Sequence, residues 1–99
     1  MNTRTRLPNR RPHELIDFEH AGFRFTVGVG RFNDGTLAEL FLSCSKAGTP
    51  VDVAARDSAI VASLALQHGC SLEDLRHALL RDASPLGAAL QEIAGRCHG

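Results

Sequence analysis

The residues best suited to chemistry stand just before the start of the longest predicted helix. Lys46 supplies a positive charge, and Gly48 supplies a backbone N–H that a ligand can approach closely. Because a helix N-terminus carries partial positive charge and free N–H groups, it binds anions such as phosphate. The segment therefore predicts an anion site formed by Lys46, Gly48 and Thr49 and assisted by Arg31 or Arg56. A loop that only turns the chain, with Lys46 in solvent, is the alternative interpretation.

A second group of cations lies close to the N-terminus. The chain has eleven basic and eleven acidic side chains, and four of the basic ones are Arg4, Arg6, Arg10 and Arg11. The rest of the chain is therefore mildly acidic, with seven basic side chains against eleven acidic ones. These arginines form either a solvated terminus or an arm that contacts the phosphates of nucleic acid.

The remaining reactive side chains do not form a recognisable catalytic or metal-binding motif. Cys44, Cys70, Cys97 and His98 contain no closely spaced ligand pair, so no metal is expected. We likewise expect no cofactor and name no catalytic residue, because no nucleophile has a partner base at a known spacing. Three cysteines without a C-x-x-C pair favour a reducing cytosol over a disulfide framework, which predicts a cytoplasmic protein.

Composition excludes two classes of partner surface. Five phenylalanines with no tryptophan or tyrosine do not supply a platform on which RNA bases stack. No apolar run approaches the roughly 20 residues that a membrane helix needs, so no membrane partner is expected.

The elements that position these residues are three strands followed by helices. A chain of 99 residues predicts one domain, placed at 13–95, with a basic arm at 1–12 and a tail at 96–99. Alternating apolar residues predict strands at 14–20, 23–29 and 37–44. Helices are predicted at 50–68, after Ser71, and from Pro85 to about Gly95. The expected fold is α+β, in the order βββααα, with an antiparallel meander covered on one face by about three helices.

The apolar pattern also predicts which faces are buried. In the long helix, Val53, Ile60, Val61 and Leu64 are expected to face the core, and Asp52, Arg56, Ser63 and Gln67 to face solvent. On the outer face of the sheet, Leu37 and Phe41 are unusually apolar. They are either singly exposed residues or part of a homodimer interface.

The order of several short motifs is similar to that of a known family. The motifs are Arg11-Pro12, the strand at 23–29, Asp34-Gly35, Glu39-Leu40-Phe41, Lys46-Ala47-Gly48, the helix end at 63–69 and Leu72-Glu73. Together they resemble the TSCPD domain, found near the C-terminus of adenosylcobalamin-dependent ribonucleotide reductases and as small free-standing proteins. The resemblance covers roughly Arg11 to Leu80.

The resemblance implies an accessory domain and not a complete enzyme. Three features of those reductases are absent from this sequence. They are the large barrel that carries the radical chemistry, the redox cysteine pair, and the tetrapeptide that names the family. Three hypotheses follow. The chain is a non-catalytic module that contacts a nucleotide, a nucleic acid or a partner protein; it is an accessory component of a separately encoded reductase core; or it is a structural homodimer.

Overall fold

The computed structural model describes residues 14–96 and confirms the α+β fold in the order βββααα. The strands are β1 (Glu14–His20), β2 (Phe23–Arg31) and β3 (Leu37–Cys44), and the helices are α1 (Pro50–Gln67), α2 (Leu72–Ala78) and α3 (Pro85–Arg96). The arginines of the basic arm, together with Cys97 and His98, lie outside the described residues. None of these helices is both long and apolar enough to cross a lipid bilayer.

The three strands form an antiparallel meander in the order β1-β2-β3. The turn between β2 and β3 requires Gly35, whose φ of +89° is unfavourable for residues with a Cβ atom. The Asp34 carboxylate fixes this turn by accepting hydrogen bonds from the Thr36 N–H (3.0 Å) and the Thr36 hydroxyl (2.6 Å). Those two bonds hold the pKa of Asp34 below its ordinary value.

The core lies between one face of the sheet and the helices. Phe25 is fully buried and stacks on Phe18, with ring centroids 5.6 Å apart. From α3, Leu90 and Ile93, three residues apart and therefore on one face of the helix, enter the same cluster. Cys44 is also buried in this cluster.

An irregularity in the sheet overturns part of the predicted outer face. Gly30 pairs with Glu39, but the next residue, Arg31, pairs with Leu37, so Ala38 is an extra residue in β3. Such a bulge breaks the alternation of side chains, and Leu37 turns into the core cluster. The prediction that Leu37 shares the outer face with Phe41 is therefore wrong, and Phe41 is exposed there without it.

Glycine at position 30 leaves room for Glu39, which lies directly over it. A Cβ atom added at Gly30 would stand 3.0 Å from Cγ of Glu39, a side chain that is itself buried. We expect Gly30→Ala to lower the free energy of unfolding by about 1–3 kcal/mol, because either the side chain or the strand must shift. In urea denaturation, Gly95→Ala is the matched control. Apart from the adjacent residues and the backbone of its own helix, no atom of the described residues lies within 4 Å of the added Cβ there, and stability should stay equal or rise. Full stability of Gly30→Ala would contradict the contact.

Candidate functional site

The start of α1 follows the predicted capping pattern. Thr49 is the N-cap, and its hydroxyl oxygen accepts the Asp52 N–H at 3.3 Å, while Pro50 occupies the first helical turn. The Thr49 hydroxyl in turn donates to the Lys46 carbonyl oxygen at 2.8 Å. These bonds fix the loop between β3 and α1.

Asp52 occupies the position where an external anion was expected. Its Oδ1 atom accepts the Cys44 N–H and its Oδ2 atom accepts the Gly48 N–H, both at 2.9 Å, and Arg56 Nη1 lies 3.6 Å from Oδ2. The side chain is deeply buried, with 1% of the residue's surface exposed. The Cys44 N–H, then the Gly48 N–H and the Arg56 charge, hold the pKa of this carboxyl below its ordinary value. The Gly48 N–H of this loop and the Cys44 N–H at the end of β3 are thus already bonded to a carboxylate of the chain itself.

Only some of the predicted anion-site residues come together. Lys46, Gly48, Thr49 and Arg56 lie around Asp52, but Arg31 does not. Arg31 stands six residues beyond the β2 residue that pairs with Cys44, a distance of about 20 Å along a strand. There its guanidinium donates to a Glu14 carboxylate oxygen and to the Gly35 carbonyl oxygen, each at 3.1 Å.

Helix α1 covers the edge of β3 that is not paired with β2. The Ser63 hydroxyl accepts the Leu40 N–H at 2.9 Å and lies 3.0 Å from the Leu40 carbonyl oxygen. The Gln67 side-chain amide donates to the Ala38 carbonyl oxygen at 3.1 Å. The Cys44 N–H also donates to Asp52, so polar side chains of α1 satisfy this edge at three places along the strand.

The predicted orientation of α1 is consequently wrong. Asp52 and Gln67 are buried with the small side chains of Ala55, Ala59 and Ala62, which let the helix approach the sheet closely. The apolar residues assigned to the core are exposed: Val53 by 50%, Ile60 by 59%, Val61 by 66% and Leu64 by 40%. We call these four residues, with the exposed Ala54 beside them, the outer face of α1.

The hydrogen bonds of Ser63 predict a measurable contribution to stability. Ser63→Ala leaves the Leu40 N–H without its acceptor, and we expect the free energy of unfolding to fall by about 1–2 kcal/mol. Ser58→Ala is the matched control, because within residues 14–96 the Ser58 hydroxyl bonds only to the Ala55 carbonyl of its own helix, at 2.8 Å. Chemical denaturation should separate the two variants, and equal stabilities would contradict the role of Ser63.

A groove of about 880 Å³ opens at the opposite end of the sheet from Lys46. It lies between the β2–β3 turn, the end of α1 and the start of α2, and Arg31, Cys70, Glu73 and Arg96 are among the residues that line it. Glu73 is paired with Arg76 at 2.8 Å, which lowers the pKa of its carboxyl. Within residues 14–96, no three histidine, cysteine or acidic side chains lie together as metal ligands would.

Comparison with known proteins relates most of this chain to a small part of a large enzyme. Over 71 residues the chain is 34% identical to a vitamin B12-dependent ribonucleotide reductase of Agrobacterium fabrum. The similarity covers 72% of this chain but only 6% of that reductase. No family model and no solved structure matches the chain. The findings therefore support a module related to part of a ribonucleotide reductase.

Proposed function

We propose that this chain is a non-catalytic accessory module that acts by binding another protein in a process related to ribonucleotide reduction. The observation that carries the proposal is the outer face of α1, where four large aliphatic side chains are exposed side by side. Contiguous apolar surface of this kind is characteristic of protein interfaces. We assign the module to the TSCPD family and to the cytosol.

The proposal favours a protein over a phosphate-bearing ligand because of Asp52. A phosphate at the loop before α1 would compete with a buried carboxylate for the Cys44 and Gly48 N–H groups. Two cations would still be available to bind the phosphate, namely Lys46, which is exposed, and Arg56. A nucleotide or nucleic acid, with the basic arm or without it, is therefore the second candidate. If it binds there, Lys46→Glu should weaken nucleotide or DNA binding, and unchanged binding would reject this candidate.

The similarity to a reductase suggests which protein to look for. The relative matches this chain along 6% of its own length, so in that protein the matched segment belongs to a far longer polypeptide. We propose that this chain associates with a separately encoded reductase core.

Co-purification from native cells tests the proposal. The tagged chain should recover a ribonucleotide reductase catalytic chain, identified by mass spectrometry. Ile60→Glu should reduce that recovery, because it places a charge in the outer face of α1. Leu80→Glu is the matched control, since Leu80 is 54% exposed but lies outside α1. Recovery of no reductase chain with the wild-type protein would overturn the proposed role.

A further inference from the structure

The two edges of the sheet differ in how their backbone groups are bonded. Polar side chains of α1 satisfy the edge of β3, and β1 forms the opposite edge. Helix α3 packs beneath β1, where Leu90 and Ile93 join Ile16 and Phe18 in the core. Within residues 14–96, however, no backbone hydrogen bond connects the edge of β1 to any helix or loop. Unpaired N–H and C=O groups at a sheet edge form a template on which another extended chain can pair.

The register of the sheet identifies the residues of β1 whose backbone groups point away from it. The Ser45 N–H donates to the Arg24 carbonyl oxygen at 2.9 Å, so Arg24 and every second residue of β2 direct their backbone groups towards β3. The intervening residues of β2 bond to β1, and the register pairs two of them with Ile16 and Phe18. The outward groups therefore belong to the alternate residues of β1, which are Leu15, Asp17 and Glu19. All three residues are exposed, as residues of an open edge should be.

The side chains of these three edge residues determine which kind of strand fits beside them. Leu15 is apolar and 71% exposed. Asp17 accepts a hydrogen bond from the neutral Thr26 hydroxyl at 2.6 Å, and Arg24 Nη2 lies 3.9 Å from a Glu19 carboxylate oxygen. In the described part of the chain, no ion pair includes Asp17. A strand added to this edge places its side chains opposite the two carboxylates, where opposite charges attract and like charges repel.

The two carboxylates exclude two kinds of occupant. The antiparallel register that pairs all three edge residues with a second copy of β1 places Asp17 opposite Asp17 of that copy, and like charges directly opposite each other are destabilising. Nucleic acid is excluded by its own negative charge, because its phosphates require cations. An extended polypeptide with basic side chains is the complementary occupant.

We infer that the open edge of β1 binds an extended segment of another protein, with basic residues opposite Asp17 and Glu19 and an apolar residue opposite Leu15. In strand addition of this kind, main-chain hydrogen bonds supply affinity and the alternate side chains supply specificity. The inference goes beyond the proposed function, because α1 covers the other edge of the sheet. The chain thus has two separate surfaces for binding proteins.

Amide hydrogen exchange of the free protein, measured by NMR, tests whether the edge is open. The N–H groups of Leu15, Asp17 and Glu19 should exchange at least about tenfold faster than those of Ile16 and Phe18, which bond to β2. Equal rates in the two sets would overturn the inference. Edge rates that fall as the protein concentration rises would overturn it in favour of a second copy.

A synthetic peptide tests the nature of the occupant. In antiparallel pairing, acetyl-Thr-Lys-Thr-Lys-Thr-Val-Thr-amide places its lysines opposite Glu19 and Asp17 and its valine opposite Leu15. At about 1 mM peptide and low ionic strength, the three edge amides should exchange at least about threefold more slowly. N-methylation of both lysines removes N–H groups that face β1 and should abolish this protection. N-methylation of the two inner threonines, whose N–H groups point away from β1, is the matched control and should preserve it. Equal protection by the two methylated peptides would overturn the inference.

A neutral variant tests the role of the two edge acids. Asp17→Asn combined with Glu19→Gln should weaken peptide binding at least about threefold, because two cross-strand ion pairs are lost. Asp57→Asn combined with Asp74→Asn is the matched control, since it removes two exposed acids that lie on helices. Equal binding by both variants would overturn the assignment of a basic partner. Loss of the reductase from the co-purification would remove the proposed function and leave this inference, and loss of peptide binding would do the reverse.

Discussion

Replacing Asp52 with alanine is expected to lower the melting temperature by about 10 °C or more. The substitution removes the acceptor of two backbone N–H groups, those of Cys44 and Gly48, at the point where the sheet passes into α1. Buried donors without an acceptor are costly because they lose their bonds to water on folding. The loop that Gly48 shapes, with φ at +78°, loses its connection to the helix at the same time.

Asp57→Ala is the matched control for this substitution. Asp57 belongs to the same helix but lies on its exposed side, so the melting temperature should change by only about 2–4 °C. Differential scanning calorimetry at neutral pH and low protein concentration compares the two variants. If both melt within a few degrees of the wild type, the account of Asp52 is wrong.

The contribution of Asp52 should also depend on pH in a defined direction. Its hydrogen bonds to the Cys44 and Gly48 N–H groups lower its pKa in the folded protein. A group with a lowered folded pKa stabilises the protein above its unfolded pKa and loses that effect as pH falls through the folded value. The difference in melting temperature between wild type and Asp52→Asn should therefore be steady above about pH 5 and narrow below about pH 4. A difference that widens in acid would contradict this assignment.

The strands and helix starts could be predicted from sequence because their signals are local. Alternating residues define β2, and Gly35 marks the turn that follows. Thr49 and Pro50 mark the start of α1 through the capping chemistry of a single turn. Each of these signals lies within a few residues of the chain. The position of the element therefore depends little on tertiary contacts.

The orientation of α1 could not be predicted in the same way, because it depends on what the helix packs against. Val53, Ile60, Val61 and Leu64 give the stronger apolar signal, and a rule based on hydrophobicity alone therefore buries them. The observed packing instead uses small alanines and the polar groups that the unpaired edge of β3 requires. The recurring Ala55, Ala59 and Ala62, in line with Asp52 and Ser63, are the signal that could have indicated it.

Two neighbouring residues of α1 distinguish the two orientations. Ala59 is buried against the sheet, with 1% of its surface exposed, whereas the next residue, Ile60, belongs to the outer face. A glutamate at position 59 would bury an unpaired carboxylate, and we expect Ala59→Glu to lower the free energy of unfolding by about 3 kcal/mol or more. Ile60→Glu places the same carboxylate in solvent, and stability should change by about 0.5 kcal/mol or less.

The central claim is that α1 presents its large aliphatic residues outward. Urea denaturation of Ala59→Glu and Ile60→Glu tests it directly. The account predicts a severely destabilised Ala59→Glu and an Ile60→Glu close to the wild type. A stable Ala59→Glu together with an unfolded Ile60→Glu would contradict it, because the aliphatic face would then lie in the core, where it could bind no partner.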